Sequence, residues 1–293
     1  MNIINLNGGL GNQLFQYSFG MAMKYNYYMD IKFCNKFLNS KQLNINDVFD
    51  IEISFADVND LNKIIGRFYS NHLIRGIALR TLNKLGVSNF KNFVIENYKS
   101  PITSLPSFKN KFYYGYWQNF NFFYENLDKI KNNLKFKFNK GLKNKFEKLY
   151  KKYSDVVCLH VRLGDYKSQK NQKVFSKISS DYYHNSISVF SKNFENPIFI
   201  LFTNETDKVD RSILNHSKVV LSSSYFDIDQ SYDFFLMSMC DAYVFSNSTF
   251  SLWAAYLSQK KNIFFTKPFS WYKDSNIERA NRYYPNDWVC LNK

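Results

Sequence analysis

The chain has 293 residues, 45% of them hydrophobic, and a formal net charge of +15; this is enough apolar sequence for two domains with sizeable cores and excludes a disordered chain. Its four cysteines, Cys34, Cys158, Cys240 and Cys290, lack Cys-x-x-Cys spacing and read as reduced core residues, no apolar run approaches the roughly 18 residues of a membrane span, and no basic-then-apolar leader opens the sequence. The expectation is a cytoplasmic protein whose positive charge favours an acidic partner: a nucleotide sugar, a nucleic acid or an anionic membrane face.

Ile3-Ile4-Asn5-Leu6 reads as a strand. Gly8-Gly9-Leu10-Gly11-Asn12 then turns into a helix expected to open at Asn12 or Gln13, with Phe15, Phe19 and Ala22 facing inward. Free amides at such a start face a ligand, and inward packing alone does not account for Gly8, Gly9, Gly11 and Asn12. The dinucleotide fingerprint is rejected, because Leu14 stands where its third glycine belongs and no acidic residue follows about 20 positions on. The first half continues aromatic and helical, with residues 112–117 as a late strand. Residues 129–152 hold ten lysines against one acid, Glu147, while Leu142, Phe146, Leu149 and Tyr150 recur at helical spacing. This lysine-faced helix is either a solvated connection between domains or a peripheral contact with an anionic membrane, such as the inner face carrying a lipid-linked acceptor.

From about residue 155, short apolar runs at 156–161, 198–202, 219–221, 242–245 and 263–265 alternate with helical stretches, the pattern of a parallel α/β sheet. His160-Val161-Arg162-Leu163-Gly164-Asp165-Tyr166 closes the first of them, and ligands of open α/β sheets bind outside strand carboxyl ends. Arg162 there presents a fork of donors suited to a phosphate; the plainer reading is an Arg162–Asp165 ion pair closing the turn. Asp227-Ile228-Asp229 is a lone Asp-x-Asp in a polar loop, and His72, His160, His184 and His216 lack ligand spacing, so no metal is expected. In the run 233–257, Ser248, Thr249 and Ser251 sit where hydroxyls cap a helix start. The same start, with its unpaired amides and positive dipole end, suits a phosphate. No nucleic-acid motif is present, and the 22 tyrosines and 30 phenylalanines spread through core runs, so nucleic acid is not expected as the partner.

In this order the segments resemble glycosyltransferase family 11, the α-1,2-fucosyltransferases, across nearly the whole chain. The likeness rests on the glycine-rich start, Gly115-Tyr116-Trp117-Gln118, the strand end at 160–166, Ser246-Asn247-Ser248-Thr249-Phe250-Ser251, and a tail with Pro268-Phe269-Ser270-Trp271-Tyr272, Tyr284-Pro285 and Trp288. Leu163 replaces the family's usual second Arg, and Leu252 the first of two tryptophans. The resemblance implies an α/β protein of two Rossmann-like domains facing a cleft, the type-B glycosyltransferase fold. Residues 1–150 would form the acceptor-side domain and 151–293 the GDP-sugar-binding domain, with the tail from about 268 packing back on the first.

It also implies inverting transfer of L-fucose from GDP-β-L-fucose to the 2-hydroxyl of a terminal galactose in a surface polysaccharide or oligosaccharide, without metal or other cofactor. The spacing from Asp233 to Ser248 is similar to a donor-binding segment of α-1,6-fucosyltransferases. That similarity implies that Asp233 reads guanine N1 and N2, while Ser248, Thr249 and the Phe250 amide hold the diphosphate beside His160 and Asn247; a helix N-cap is the equal alternative for Asp233. Arg162 would stabilise the departing phosphate, with Asp165, or Glu205 in Phe202-Thr203-Asn204-Glu205, as base. Asn12, with Gly9 and Gly11, would orient the fucose or the diphosphate. The departures at Leu163 and Leu252 leave a second reading open, a catalytically impaired carbohydrate-binding protein of the same fold.

Overall fold

The computed structural model describes residues 1–31, 43–97, 102–106, 108–137, 140–163, 175–228, 232–260, 262–273 and 282–292. It divides into two compact units, Met1–Lys137 and Phe138–Lys293. Each carries its own mainly parallel sheet, the α/β architecture expected.

The strands of the first unit are β1 (Asn2–Asn5), β2 (Tyr27–Asp30), β3 (Phe49–Asp50), β4 (Asn89–Phe90), β5 (Phe93–Ile95), β6 (Phe112–Tyr114) and β7 (Lys135–Phe136). Five form a sheet in the order β2-β1-β6-β5-β4, parallel except for the β4–β5 edge, while β3 and β7 pair antiparallel. Ile3 and Ile4 are both fully buried, as a central parallel strand requires. The helix Leu10–Ala22 lies tight against this sheet, for a Cβ on Gly20 would come within 2.7 Å of Ile4 Cδ1. Helices Val58–Ser70 and His72–Lys84 put Leu61, Ile64, Ile65 and Leu79 into one cluster with Ile3, Phe93, Ile95 and Phe112. Beneath them Arg75 pairs with Asp30 at 2.5 Å, both side chains fully buried. Such a pair adds little net stability, but removing one partner strands a buried charge.

In the second unit β8 (Asp155–Val161), β9 (Pro197–Thr203), β10 (Val219–Leu221), β11 (Ala242–Val244), β12 (Phe264–Thr266) and β13 (Val289–Cys290) form one parallel sheet in the order β10-β9-β8-β11-β12-β13. Relabelled in chain order, this is the 3-2-1-4-5-6 arrangement of a Rossmann sheet. The lysine-rich helix Lys140–Glu147 and the 3-10 turn Lys148–Lys151 belong to this unit, where Leu142, Phe146 and Leu149 are buried and Phe146 stacks on Phe226 at 6.0 Å. The single helix expected over 129–152 is instead divided among the helix Leu127–Asn133, β7, the helix Lys140–Glu147 and the 3-10 turn, and of its expected apolar face Tyr150 is 38% exposed. Within the tail, Val289–Cys290 supplies the sixth strand of this unit's sheet. The tail's rings explain why: Trp288 stacks on Phe245 and Tyr284 on Phe265, both from the core around β11 and β12. Among the described residues no helix is long and apolar enough to cross a membrane.

Candidate active site

In a Rossmann sheet the ligand crevice opens where strand order reverses, outside the carboxyl ends of the two central strands. In the second unit that reversal lies between β8 and β11, and both strands end in the residues singled out above. His160, the last but one residue of β8, is 3% exposed. Its Nδ1 is 2.8 Å from Ser251 Oγ and 3.0 Å from Ser246 Oγ, so one ring ties β8 to the loop after β11 and to the helix Thr249–Tyr256. Burial, reinforced by the nearby Arg162 charge, pushes the His160 pKa down to about 3. The ring is therefore neutral at ordinary pH and acts as a tie rather than a cation. Arg162 follows β8 and is half-buried.

Asn247 is 8% exposed, and its Nδ2 donates to the carbonyls of Ser176 (3.1 Å), Trp271 (3.2 Å) and Ser270 (3.4 Å). Three carbonyls around one atom identify it as the amide nitrogen, and they make Asn247 a clamp on two segments of its own unit. Ser248 is the N-cap of the helix Thr249–Tyr256, its Oγ accepting from Phe250 N at 3.3 Å. The capping role is thus present, and the Phe250 amide expected for the diphosphate is engaged by the cap. Ser248, Thr249 and Phe250 are all half-buried at that helix start.

Asp233 is brought to the same place, because Phe234 meets Phe250 edge to face at 4.9 Å. It is not an N-cap. Tyr232 holds that position, and the buried Asp233 carboxylate accepts from Ser222 Oγ at 2.8 Å. Ser222 directly follows β10, so the carboxylate is anchored at the carboxyl edge of the sheet. Glu205, past the end of β9, pairs with Lys208 at 2.6 Å. Leu163 N donates to Asn204 Oδ1 at 3.2 Å, joining the loops after β8 and β9, and the Leu163 side chain packs on the core. Leu252 is fully buried. The two departures from the family pattern are therefore packing positions here. Asp165, Gly164 and Tyr166 lie outside the described residues, as does Asp229 of the Asp-x-Asp string. Asp227 ends the helix Ser222–Phe226 with a left-handed φ of 54°. Among the described residues no three His, Cys, Asp or Glu gather as a metal-holding group.

In the first unit the glycine-rich turn follows β1, whose neighbour in the sheet is β6. The helix after β1 starts at Leu10 rather than at Asn12 or Gln13, because Gly9 is the extended N-cap whose carbonyl accepts from both Asn12 N and Gln13 N. No side chain caps this start. Gly8 holds a φ of 79°, and a Cβ there would lie 2.6 Å from Asn12 Nδ2, so a residue with a side chain is doubly disfavoured. Gly9 and the half-buried Asn12 border this start, and Gly11 is buried within its first turn. Gln118, just past β6, donates to Asn12 Oδ1 at 2.8 Å and joins the chain after β6 to the helix after β1. Gln16 fixes both lips, accepting from Asn7 N (2.9 Å) and donating to Gly115 O (2.8 Å). Gln13 donates to Gly8 O and accepts from Ile45 N. The sequence assigns nothing to the side chains of Ser222, Gln13, Gln16, Asn204, Ser246 and Gln118, whose roles depend on distant partners, and marks Ser251 only as a helix cap rather than as a partner of His160.

The family model described as Glycosyl transferase family 11 matches residues 1–292. The chain belongs to glycosyl transferase family 11. It is accordingly a glycosyltransferase, and similar family 11 proteins span it end to end. An alpha-1,2-colitosyltransferase of Escherichia coli is 26% identical over 301 residues, 99% of this chain and 99% of the relative. The O-antigen biosynthesis glycosyltransferase WbnK of Escherichia coli is 24% identical over 315 residues, 98% and 99% respectively. Galactoside alpha-(1,2)-fucosyltransferase 2 of Pongo pygmaeus is 30% identical over 114 residues, 38% of this chain and 33% of the relative.

Proposed function

We propose that the protein transfers L-fucose from GDP-β-L-fucose to the 2-hydroxyl of a terminal galactose in a surface polysaccharide or oligosaccharide, inverting to the α linkage. The observation that carries this reading is the family match over residues 1–292, joined to relatives whose names share an α-1,2 linkage. The second unit supports the donor half. As the sugar–phosphate bond breaks, negative charge grows on the β-phosphate, and a preorganised cation or amide there stabilises the transition state more than the ground state. Arg162 fills that role, with the helix start at Ser248, Thr249 and Phe250 beside it. Binding the diphosphate would draw the Phe250 N–H from its 3.3 Å contact with Ser248 Oγ. Asp233, fixed by Ser222, offers two acceptor oxygens to the adjacent N1 and N2 donors of guanine. His160 and Asn247 hold these groups in place, and Asn12 with Gly9 and Gly11 forms the sugar-facing part of the first unit.

Asp165 serves as base for the acceptor hydroxyl. Glu205 is the weaker candidate, since Lys208 already engages its carboxylate. No metal is required, because Arg162 and the helix amides supply the positive field. One relative is a colitosyltransferase, and colitose differs from fucose by loss of the 3-hydroxyl, so the donor sugar is the point to test. Purified protein is to be incubated with GDP-fucose or GDP-colitose and a panel of galactosides, following acceptor-dependent GDP release. Release with GDP-fucose and a galactoside is expected; release only with GDP-colitose would overturn the fucose assignment. Binding of galactoside without release from either donor would favour the impaired carbohydrate-binding protein.

A further inference from the structure

The helix His72–Lys84 of the first unit carries an outward stripe that the site does not use. Leu73, Ile77, Arg80 and Lys84 follow at i, i+4, i+7 and i+11, which places them on one face of an α-helix. Leu73 is 57% and Ile77 62% exposed, and Leu85, directly after the helix, is 73% exposed. At the end of the preceding helix, Gly66 leaves helical geometry at φ 79°, ψ 159°, and beyond this break Phe68 is 65% exposed. Four large apolar side chains therefore stand in water on one helical hairpin, whose inner face already fills the core with Leu61, Ile64, Ile65 and Leu79.

The charge near them is mostly basic, because the hairpin's acidic residues, Asp57 and Asp60, sit in the capping box at the far start of its first helix. Between Leu61 and Ile95 the sequence contains no Asp or Glu, and Lys63, Arg67, Arg80 and Lys84 are exposed. Arg75 is excluded from this count because it is buried against Asp30. We propose that this hairpin docks the protein onto an anionic lipid surface, its apolar tips entering the headgroup boundary and its Lys and Arg side chains meeting lipid phosphates. Apolar tips flanked by basic residues are the composition that binds bilayer interfaces. Self-association fits less well: a two-fold contact would set a largely basic stripe against itself, and the hairpin's Asp57 and Asp60 already accept from each other's backbone N–H at the helix start. The lysine-rich helix of the second unit offers charge without comparable insertion, since Leu142, Phe146 and Leu149 are buried.

The test is co-sedimentation of the full chain with phosphatidylcholine vesicles, with and without phosphatidylglycerol, in the absence of any sugar nucleotide. Its outcome is thus separate from that of the transferase assay. Wild type should bind only the phosphatidylglycerol vesicles and release as salt rises. The triple variant Phe68→Ser, Leu73→Ser, Ile77→Ser, at unchanged charge, should lose about tenfold or more in affinity. Arg67→Gln, Arg80→Gln, Lys84→Gln should lose as much and flatten the salt dependence. Lys143→Gln, Lys148→Gln, Lys151→Gln should retain most of the binding. Melting temperature checks that each variant is folded. Wild-type affinity in the folded serine variant, equal binding to neutral vesicles, or loss confined to the Lys143 variant set would overturn the proposal. So would a concentration-dependent dimer that the serine substitutions abolish.

Discussion

Arg162 stands at the carboxyl end of β8, beside the point where the Rossmann order reverses. If it neutralises the departing diphosphate, Arg162→Ala removes a contact that strengthens as the bond breaks, and turnover should fall by about 100- to 1,000-fold. Arg162→Lys should recover only part, since a point charge cannot reproduce a planar two-toothed grip. A purely structural role predicts the reverse: a lower melting temperature with normal turnover per folded molecule. His160 carries a separate prediction. Its pKa is held near 3 by burial and by Arg162, whereas an unfolded histidine titrates near 6.5. Between those values the unfolded chain takes up a proton that the fold refuses. Stability is full above pH about 6.5 and falls below it, by about 2 kcal/mol at pH 5. Thermal melts of wild type and His160→Gln from neutral pH to pH 5 test this. A steeper fall for wild type is expected, and parallel curves would contradict it.

At the scale of elements, the strand runs β8 to β12 were legible because each is a short, mainly apolar stretch, almost fully buried in β8, β9 and β11 and half-buried in the edge strand β10. Only one or two end residues differ. The two-residue strands β3, β4, β7 and β13 were not legible, for they are shorter than any periodicity can mark, and their pairing depends on partners distant in sequence. The expected strand over residues 112–117 stops at Tyr114, because Trp117 takes a φ of 55° and stacks flat on Phe19 at 4.3 Å. Gly115 makes that turn. A Cβ there would lie 2.4 Å from Glu96 Cβ, and Glu96 Oε2 receives both Tyr116 N (2.7 Å) and Trp117 N (2.8 Å). Gly115→Ala should therefore destabilise the protein by about 1–3 kcal/mol, the usual cost of overpacking. Urea denaturation measures it, and an unchanged midpoint would show that Glu96 yields freely. The pair Asn12–Gln118 illustrates what a motif conceals: each residue was quoted, but their contact spans 106 positions.

At the scale of the molecule, each unit has a mainly parallel sheet, the second with a strand-order reversal, and motifs that carry the family likeness fall at strand carboxyl ends in both. The sequence located these segments because a turn at a strand's carboxyl end is local; it could not apportion roles within them, because His160, Asp233 and Asn247 are held by serines and carbonyls from other elements. If Arg162 and the helix start at Ser248 supply the positive field for the diphosphate, activity should be full in EDTA, checked by assay with and without chelator. Loss with rescue by manganese would mean that a metal carries the diphosphate. The most direct measurement is the structure of the product. NMR of the compound formed from GDP-β-L-fucose and a terminal galactoside should show an α-fucosyl residue on the galactose 2-oxygen. A β linkage, attachment at another hydroxyl, or free fucose as the sole product would contradict the account.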